Sequence, residues 1–382
     1  MHRRSFLKWG GAGLATMLLP QLAFANAATD QRFVFIIQRG AADGLNTLVP
    51  YADPDYAKLR GALAIQDTQT NRLDSLFALH PALSNAFALY QQQQAMFVHA
   101  IASPYRERSH FDGQNVLESG GTRAYQLKDG WLNRLLGLLP KAQSEAIAFS
   151  PTIPLALRGT IQVDAYATAK LPQPPDDLLM RVSQLYAADA QLHTVWESAL
   201  QTANMADMAG EGKNSQQPEA LGKLVGDFLS QAQGPRIAML ETGGWDTHSA
   251  QQARLAKQLA DLDTLIASLK QSLGSHWQQT LVIVATEFGR TAAANGTGGT
   301  DHGTGAAMLA FGGGLPAITA RNKQWAAGKV IADWPGLSNS QLYQGRDLQP
   351  TMALDKVIAE LVSAHYGLDN PLVSRTLFPA TA

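Results

Sequence analysis

A carboxylate and an imidazole, Asp301 and His302, stand among glycines in GGTDHGTG, just ahead of the apolar run AAMLAF. Glycine permits a sharp turn or a close backbone approach. The pair is therefore either a hydrogen-bonded turn or part of a metal site, with His302 on the metal and Asp301 orienting it or adding an oxygen. GGWDTHS holds a second pair, Asp246 and His248. Two residues apart on an extended loop, their side chains can swing toward one cation. The alternative is helix capping, with Thr247 or Ser249 as N-cap and Asp246 favourable near the helix start. In TEFGRT, Glu287 follows the apolar run LVIVA and is either a third metal ligand or the ion-pair partner of Arg290.

Two earlier positions complete the set. Asp43 lies in the loop after the first apolar run, and Ser109 lies at the start of an expected helix, flanked by Arg108 and His110. A hydroxyl there is either an ordinary N-cap or a nucleophile activated by a metal, with the helix N-terminus favouring the anion that forms. His110 would serve as an extra ligand or a proton carrier. Arg106, Arg108 and Arg290 stand beside these same residues, and arginines near a cation and a nucleophile fit an oxyanion such as phosphate or sulfate. His80 and His99 read as packing or loop residues. The chain has no cysteine, so a metal site must come from His, Asp, Glu, Ser or Thr. Oxygen and imidazole ligands suit Zn, Mn, Mg or Ca, as one ion or two.

The elements that must position these groups can be read from the apolar runs. Phe33–Ile37, about 95–102, about 236–240, Leu281–Ala285 and the stretch AAMLAFGG read as buried strands. Helices are expected over about 111–118 and about 250–273, the latter from Leu255, Leu259, Leu262, Leu265, Ile266 and Leu269 at helical spacing. Strands alternating with helices imply an α/β fold, a mainly parallel sheet with helices on both faces. Sites in such sheets collect at the carboxyl ends of the strands. Four of the five clusters follow their strand at once, but Asp301 and His302 precede theirs. Residues 164–230 read as a helical, polar insertion over the sheet.

The 382 residues are 46% apolar and 16% charged, enough for one large domain with a sizeable core. A formal net charge of −1 gives no basic surplus for nucleic acid. Residues 1–25 carry paired Arg3 and Arg4, then Ser5-Phe6-Leu7-Lys8, a short apolar run and Ala23-Phe24-Ala25. This is a twin-arginine signal peptide ending in an A-x-A cleavage pattern. Glycines and Pro20 interrupt a run too short to span a membrane, so no transmembrane anchor remains after cleavage. Losing Arg3, Arg4 and Lys8 with the peptide takes the formal charge from −1 to −4. The expected location is periplasmic or secreted, with the twin-arginine translocase as partner during export.

QRGAADGLN, LHPAL, RSHFDGQ, ETGGWDTH, TEFGRT and GTDHGTG together resemble an exported bacterial family, the domain-of-unknown-function family 1501. The likeness covers nearly the whole chain after residue 25. More broadly, the order Asp43, Ser109, Asp246 with His248, Glu287 and His302 resembles the alkaline phosphatase and sulfatase superfamily. That resemblance implies a three-layer fold, a two-metal site, Ser109 as nucleophile and Arg106 or Arg108 on the substrate oxygens. The implied substrate is an anionic phosphate or sulfate ester. The pattern departs from alkaline phosphatases at Glu287-Phe288, where they carry Asp-His. That leaves His110 or Asp301 to replace the missing imidazole, or a site with one metal or none. No Cys stands at Ser109 to become a formylglycine. The departure also motivates a second expectation: a catalytically inactive exported protein that uses the old cleft to bind a partner at the cell envelope.

Overall fold

A computed structural model gives the structure of residues 30–66, 71–140, 146–167, 182–183, 185–189, 191–199 and 217–381. The segment read as a signal peptide lies outside the described residues. In chain order the strands are β1 (Arg32–Gln38), β2 (Leu48–Val49), β3 (Asn71–Arg72), β4 (Ala78–Leu79), β5 (Ala95–Ala102), β6 (Ala146–Ala148), β7 (Asp164–Ala165), β8 (Ile237–Thr242), β9 (Thr280–Ala285), β10 (Ala306–Phe311), β11 (Val330–Ile331) and β12 (Met352–Ala353). The main sheet has the order β11-β5-β10-β9-β1-β8-β6-β7, with β12 also on β5, and β2-β4-β3 form a small second sheet.

β1 lies between β8 and β9 and is parallel to both. It is apolar along its length rather than alternating because both of its faces are covered. Phe33, Phe35 and Ile37 enter one core with the helices Trp131–Leu136, Leu315–Arg321, Leu354–Tyr366 and Asn370–Leu377. Val34 and Ile36 enter the other with the helices Ser84–Gln91, Pro218–Ser230 and Gln251–Leu273. The result is a mixed α/β sandwich of three layers. Each fully buried Leu, Ile, Val or Phe contributes roughly 1.5–3 kcal/mol to it.

β10 is antiparallel to both of its neighbours, β9 and β5. Ala306, its first residue, pairs with Ile101 near the end of β5, and Phe311, its last, pairs with Ala95 at the beginning. The reversal brings the start of β10 to the edge where the parallel strands finish. That is why Asp301 and His302 come before their strand when the other clusters come after theirs. Of residues 164–230, β7 joins the sheet edge and Pro218–Ser230 packs into the second core. Residues 168–181, 184, 190 and 200–216 lie outside the described residues.

Three buried histidines predict how stability responds to acid. Burial holds His80 and His99 down to about 4 and His365 down to about 3. In the unfolded chain each takes a proton near pH 6.5. Between those values the unfolded state binds more protons, so stability is full above about pH 6.5 and falls as the pH drops. Each histidine contributes a slope approaching about 1.4 kcal/mol per pH unit. Urea melts at pH 7.5, 6.0 and 5.0 should show falling midpoints, and a midpoint constant down to pH 5 would contradict it.

Candidate metal centre

Four segments meet at the carboxyl edge of the sheet. The loop after β8 brings Asp246 and His248, the segment after β9 brings Glu287 and Arg290, and the lead into β10 brings Asp301 and His302. The helix His110–Ser119, after β5, brings His110. The backbone joins them: the Thr291 amide donates to the Asp301 carbonyl, Gly303 to Gly289, and Thr300 to Thr247. Glycine is needed where these segments touch. A Cβ at Gly303 would sit 2.3 Å from the Arg290 carbonyl carbon, and one at Gly299 would sit 2.3 Å from the His248 carbonyl. The glycines around Asp301-His302 thus allow two loops to press together.

Three imidazoles meet there. His302 Nε2 lies 2.9 Å from His110 Nε2 and 3.0 Å from His248 Nε2. Asp246 Oδ1 lies 3.3 Å from His302 Nε2 and 3.0 Å from His248 Nε2, and its Oδ2 lies 3.5 Å from His110 Nε2. His110, Asp246 and His302 each offer a ligand atom within 4.8 Å of the others, a cluster that could hold a metal ion.

The opposite ring nitrogens settle which atoms carry hydrogens. His110 Nδ1 is 2.8 Å from Glu287 Oε1, His248 Nδ1 is 3.0 Å from Asp301 Oδ1, and His302 Nδ1 is 3.0 Å from the Arg108 carbonyl. All three partners can only accept, since both carboxyls are held below their usual range. Burial opposes ionisation of Glu287, but hydrogen bonds from His110, Gln114 and the Gly40 amide outweigh it. Hydrogen bonds from Asn295 and His248 do the same for Asp301. Each neutral ring therefore carries its hydrogen on Nδ1 and turns an Nε2 lone pair inward. Three lone pairs facing one carboxylate repel unless a cation, or extra protons, lies among them. Imidazoles whose far N–H is fixed by a carboxylate or carbonyl are the usual surroundings of a bound metal. The residues present fit a divalent cation.

The other groups singled out from the sequence fall around this cluster. Glu287 is fully buried and receives Gly40 N, His110 Nδ1 and Gln114 Nε2 on one oxygen and Thr286 Oγ1 on the other. It faces the outer nitrogen of His110, as Asp301 faces that of His248. Arg290, also buried, donates to Asp246 Oδ1 at 2.9 Å, to Thr300 and to Gly40. Burial raises the Asp246 carboxyl, but the Arg290 guanidinium outweighs it and keeps the group ionised. Asp43 is not brought to the histidines: Arg60 and Gln251 hold its carboxylate, which also caps the helix Gly44–Thr47. Arg108 is paired with Asp347. Ser109 is the N-cap of its helix, and its hydroxyl makes no capping bond.

Sequence reasoning passed over Gln114, Asn295, Thr300 and Gln251. The i,i+4 spacing of His110 and Gln114 was a usable signal, since it puts both on one helix face. Nothing local marked the other three.

The sequence profile of the family described as "Protein of unknown function (DUF1501)" matches residues 30–377. The chain belongs to the DUF1501 family. No curated protein matches this DUF1501 chain. Among solved structures it is similar to the C-terminal periplasmic domain of EcEptC from Escherichia coli in complex with Zn. The identity is 8%, with 79% of each chain covered and a TM-score of 0.40. It is also similar to the phosphonate monoester hydrolase of Agrobacterium radiobacter, at 11% identity, 79% and 70% coverage and a TM-score of 0.37. The alkaline phosphatase from the Antarctic bacterium TAB5 matches at 13% identity, 74% and 90% coverage and a TM-score of 0.33. Among the described residues of the DUF1501 chain, no helix is long and apolar enough to cross a membrane.

Glu287→Gln would test the role of the outer partners. The amide keeps the size and an acceptor oxygen but removes the charge that makes His110 a better donor of electrons. Metal affinity should fall about tenfold, the lower end for loss of such a partner. Competition against a chelating dye measures it, and an unchanged affinity would remove Glu287 from the site.

Proposed function

We propose that this chain is an exported, metal-dependent hydrolase of phosphate or sulfate esters. One observation carries the reading: three imidazoles with their Nδ1 atoms held against outer acceptors turn their Nε2 atoms toward Asp246 and toward one another. His110, Asp246, His248 and His302 would hold the ion, with Glu287, Asp301 and the Arg108 carbonyl behind the rings. Imidazole-rich donor sets favour zinc over magnesium or calcium. The bound ion would supply positive charge that eases ionisation of a hydroxyl and offsets charge on the reacting ester.

Ser109 is the candidate nucleophile. It lies between Arg108, whose carbonyl holds His302, and His110 itself, so the cluster fixes its backbone on both sides. Arg108 adopts a left-handed φ of 63°, strain of the kind found where function requires it. Ser109 stands at the N-terminus of a ten-residue helix, where an anion is favoured. Arg106 would hold the non-bridging oxygens. Its guanidinium donates to the carbonyls of Ser103 and Tyr105, and among the described residues no carboxylate pairs with it. Its charge remains available, while Arg108 and Arg290 are committed to Asp347 and Asp246.

In the reaction, Ser109 Oγ gives up its proton to solvent and bonds to phosphorus or sulfur as the bond to the ester oxygen breaks. The departing alkoxide takes up a proton. Water then cleaves the seryl ester, releasing phosphate or sulfate and restoring the hydroxyl. The rival reading, an inactive envelope protein, draws on the placement of Glu287 behind His110, which leaves a single cluster in place of a paired site. Elemental analysis of the natively exported protein, followed by a screen of aryl phosphates, phosphonates and sulfates, separates the two. We expect near-stoichiometric metal and turnover that a chelator abolishes. Bound metal without turnover of any ester favours the rival.

A further inference from the structure

Asp246 is a partly exposed side chain, 42% accessible, yet its arginine partner is fully buried. Behind that partner runs a continuous chain of buried polar groups. Arg290 Nε donates to Thr300 Oγ1 at 2.8 Å, and Thr300 Oγ1 donates to Gln251 Oε1 at 2.6 Å. Gln251 Nε2 donates to Asp43 Oδ2, and Arg60 closes the chain on Asp43, with Nη2 donating to Oδ1 at 2.9 Å. Arg60, Asp43, Gln251, Thr300 and Arg290 are each at most 1% exposed. We infer that Asp43, Gln251 and Thr300 are positioning residues, anchored by Arg60, that set the orientation of Arg290 and through it Asp246.

The chain has one hydrogen-bond sense from end to end. A carboxylate only accepts, so Asp43 requires the NH2 end of the Gln251 amide. That turns Gln251 Oε1 toward the hydroxyls of Thr300 and Thr247, which both donate to it. With its hydrogen so spent, Thr300 Oγ1 keeps a lone pair for Arg290 Nε–H. The planar guanidinium is then fixed, and Nη1 meets Asp246 Oδ1 at 2.9 Å. Flipping the Gln251 amide would set an oxygen against the Asp43 carboxylate and take away the oxygen to which both threonine hydroxyls donate. In a buried chain neither fault is relieved by water. Gln251 itself is presented at the start of its helix by Ala250, a non-glycine held at a φ of 49°. An Asp in the loop after β1 thus bears on Asp246 through three intervening side chains, Gln251, Thr300 and Arg290.

The inference rests on the reading that Asp246 holds a metal, and the test keeps the two apart. Zinc affinity of the full chain is measured by competition with a chelating dye for the parent, Thr300→Val, Thr300→Ser and the pairing of Thr300→Val with Asp246→Asn. Thr300→Val should weaken zinc binding about tenfold, the lower end of the effect of losing an outer partner of a metal ligand. Thr300→Ser, which keeps the hydroxyl, should stay within about threefold of the parent, a tolerance well inside that tenfold loss. In the Asp246→Asn background, Thr300→Val should cost little further, because the group it positions has changed. A merely structural role would weaken binding equally in both backgrounds, and that result overturns the inference. So does parent-like affinity in Thr300→Val. A parent that takes up no zinc overturns the metal reading and this inference with it.

Discussion

Chain purified with His302 replaced by Ala should contain almost no metal. His302 is the centre of the cluster: its Nε2 touches His110 and His248 at 2.9 and 3.0 Å and Asp246 at 3.3 Å. Removing it deletes a proposed ligand from the middle of the cluster. The loss of affinity should exceed the roughly 10–100-fold that follows removal of an outer partner. Metal bound only to the folded state at 100 times its Kd stabilises the fold by about 2.7 kcal/mol. The parent melt should therefore drop on adding a chelator, and the His302→Ala melt should not move. Asp246→Ala should behave the same way. Elemental analysis reads this directly. Stoichiometric metal retained in both variants would place the ion elsewhere and reduce GGTDHGTG to a tight turn.

The second large effect is kinetic. Ser109→Ala should lower ester turnover by about 10⁴-fold or more, the scale seen when a nucleophile is removed from a site whose parts act together. Metal content and melting temperature should stay close to the parent. An N-cap serine replaced by Ala ordinarily costs about 1 kcal/mol through its lost capping bond. The Ser109 side chain makes no such bond, so little of that cost applies. Loss of turnover with the fold and the metal retained separates a nucleophile from a structural cap. Full activity in Ser109→Ala would rule out Ser109 as the nucleophile and transfer the attack to water.

The sequence by itself determined the layers of this protein. Runs such as RFVFIIQ and LVIVA are apolar at every position, and only strands covered on both faces tolerate that. It also marked polar groups at the strand ends, and His110, Asp246, His248, Glu287, Asp301 and His302 lie in one cluster. The motifs were specific enough to indicate the family. What only the tertiary structure decided is which way each group points and against what. The direction of β10 is a non-local choice made by its pairing with β5 and β9, and no local signal in AAMLAF carries it. Residue type cannot distinguish a carboxylate facing a metal from one facing the outer nitrogen of a histidine, as Glu287 and Asp301 do. The difference is a few ångströms of side-chain placement fixed by Gly40, Gln114 and Asn295. Asp43 shows the same limit. Its place after the first strand was legible, but Arg60 and Gln251, distant in sequence and buried with it, set what its carboxylate touches.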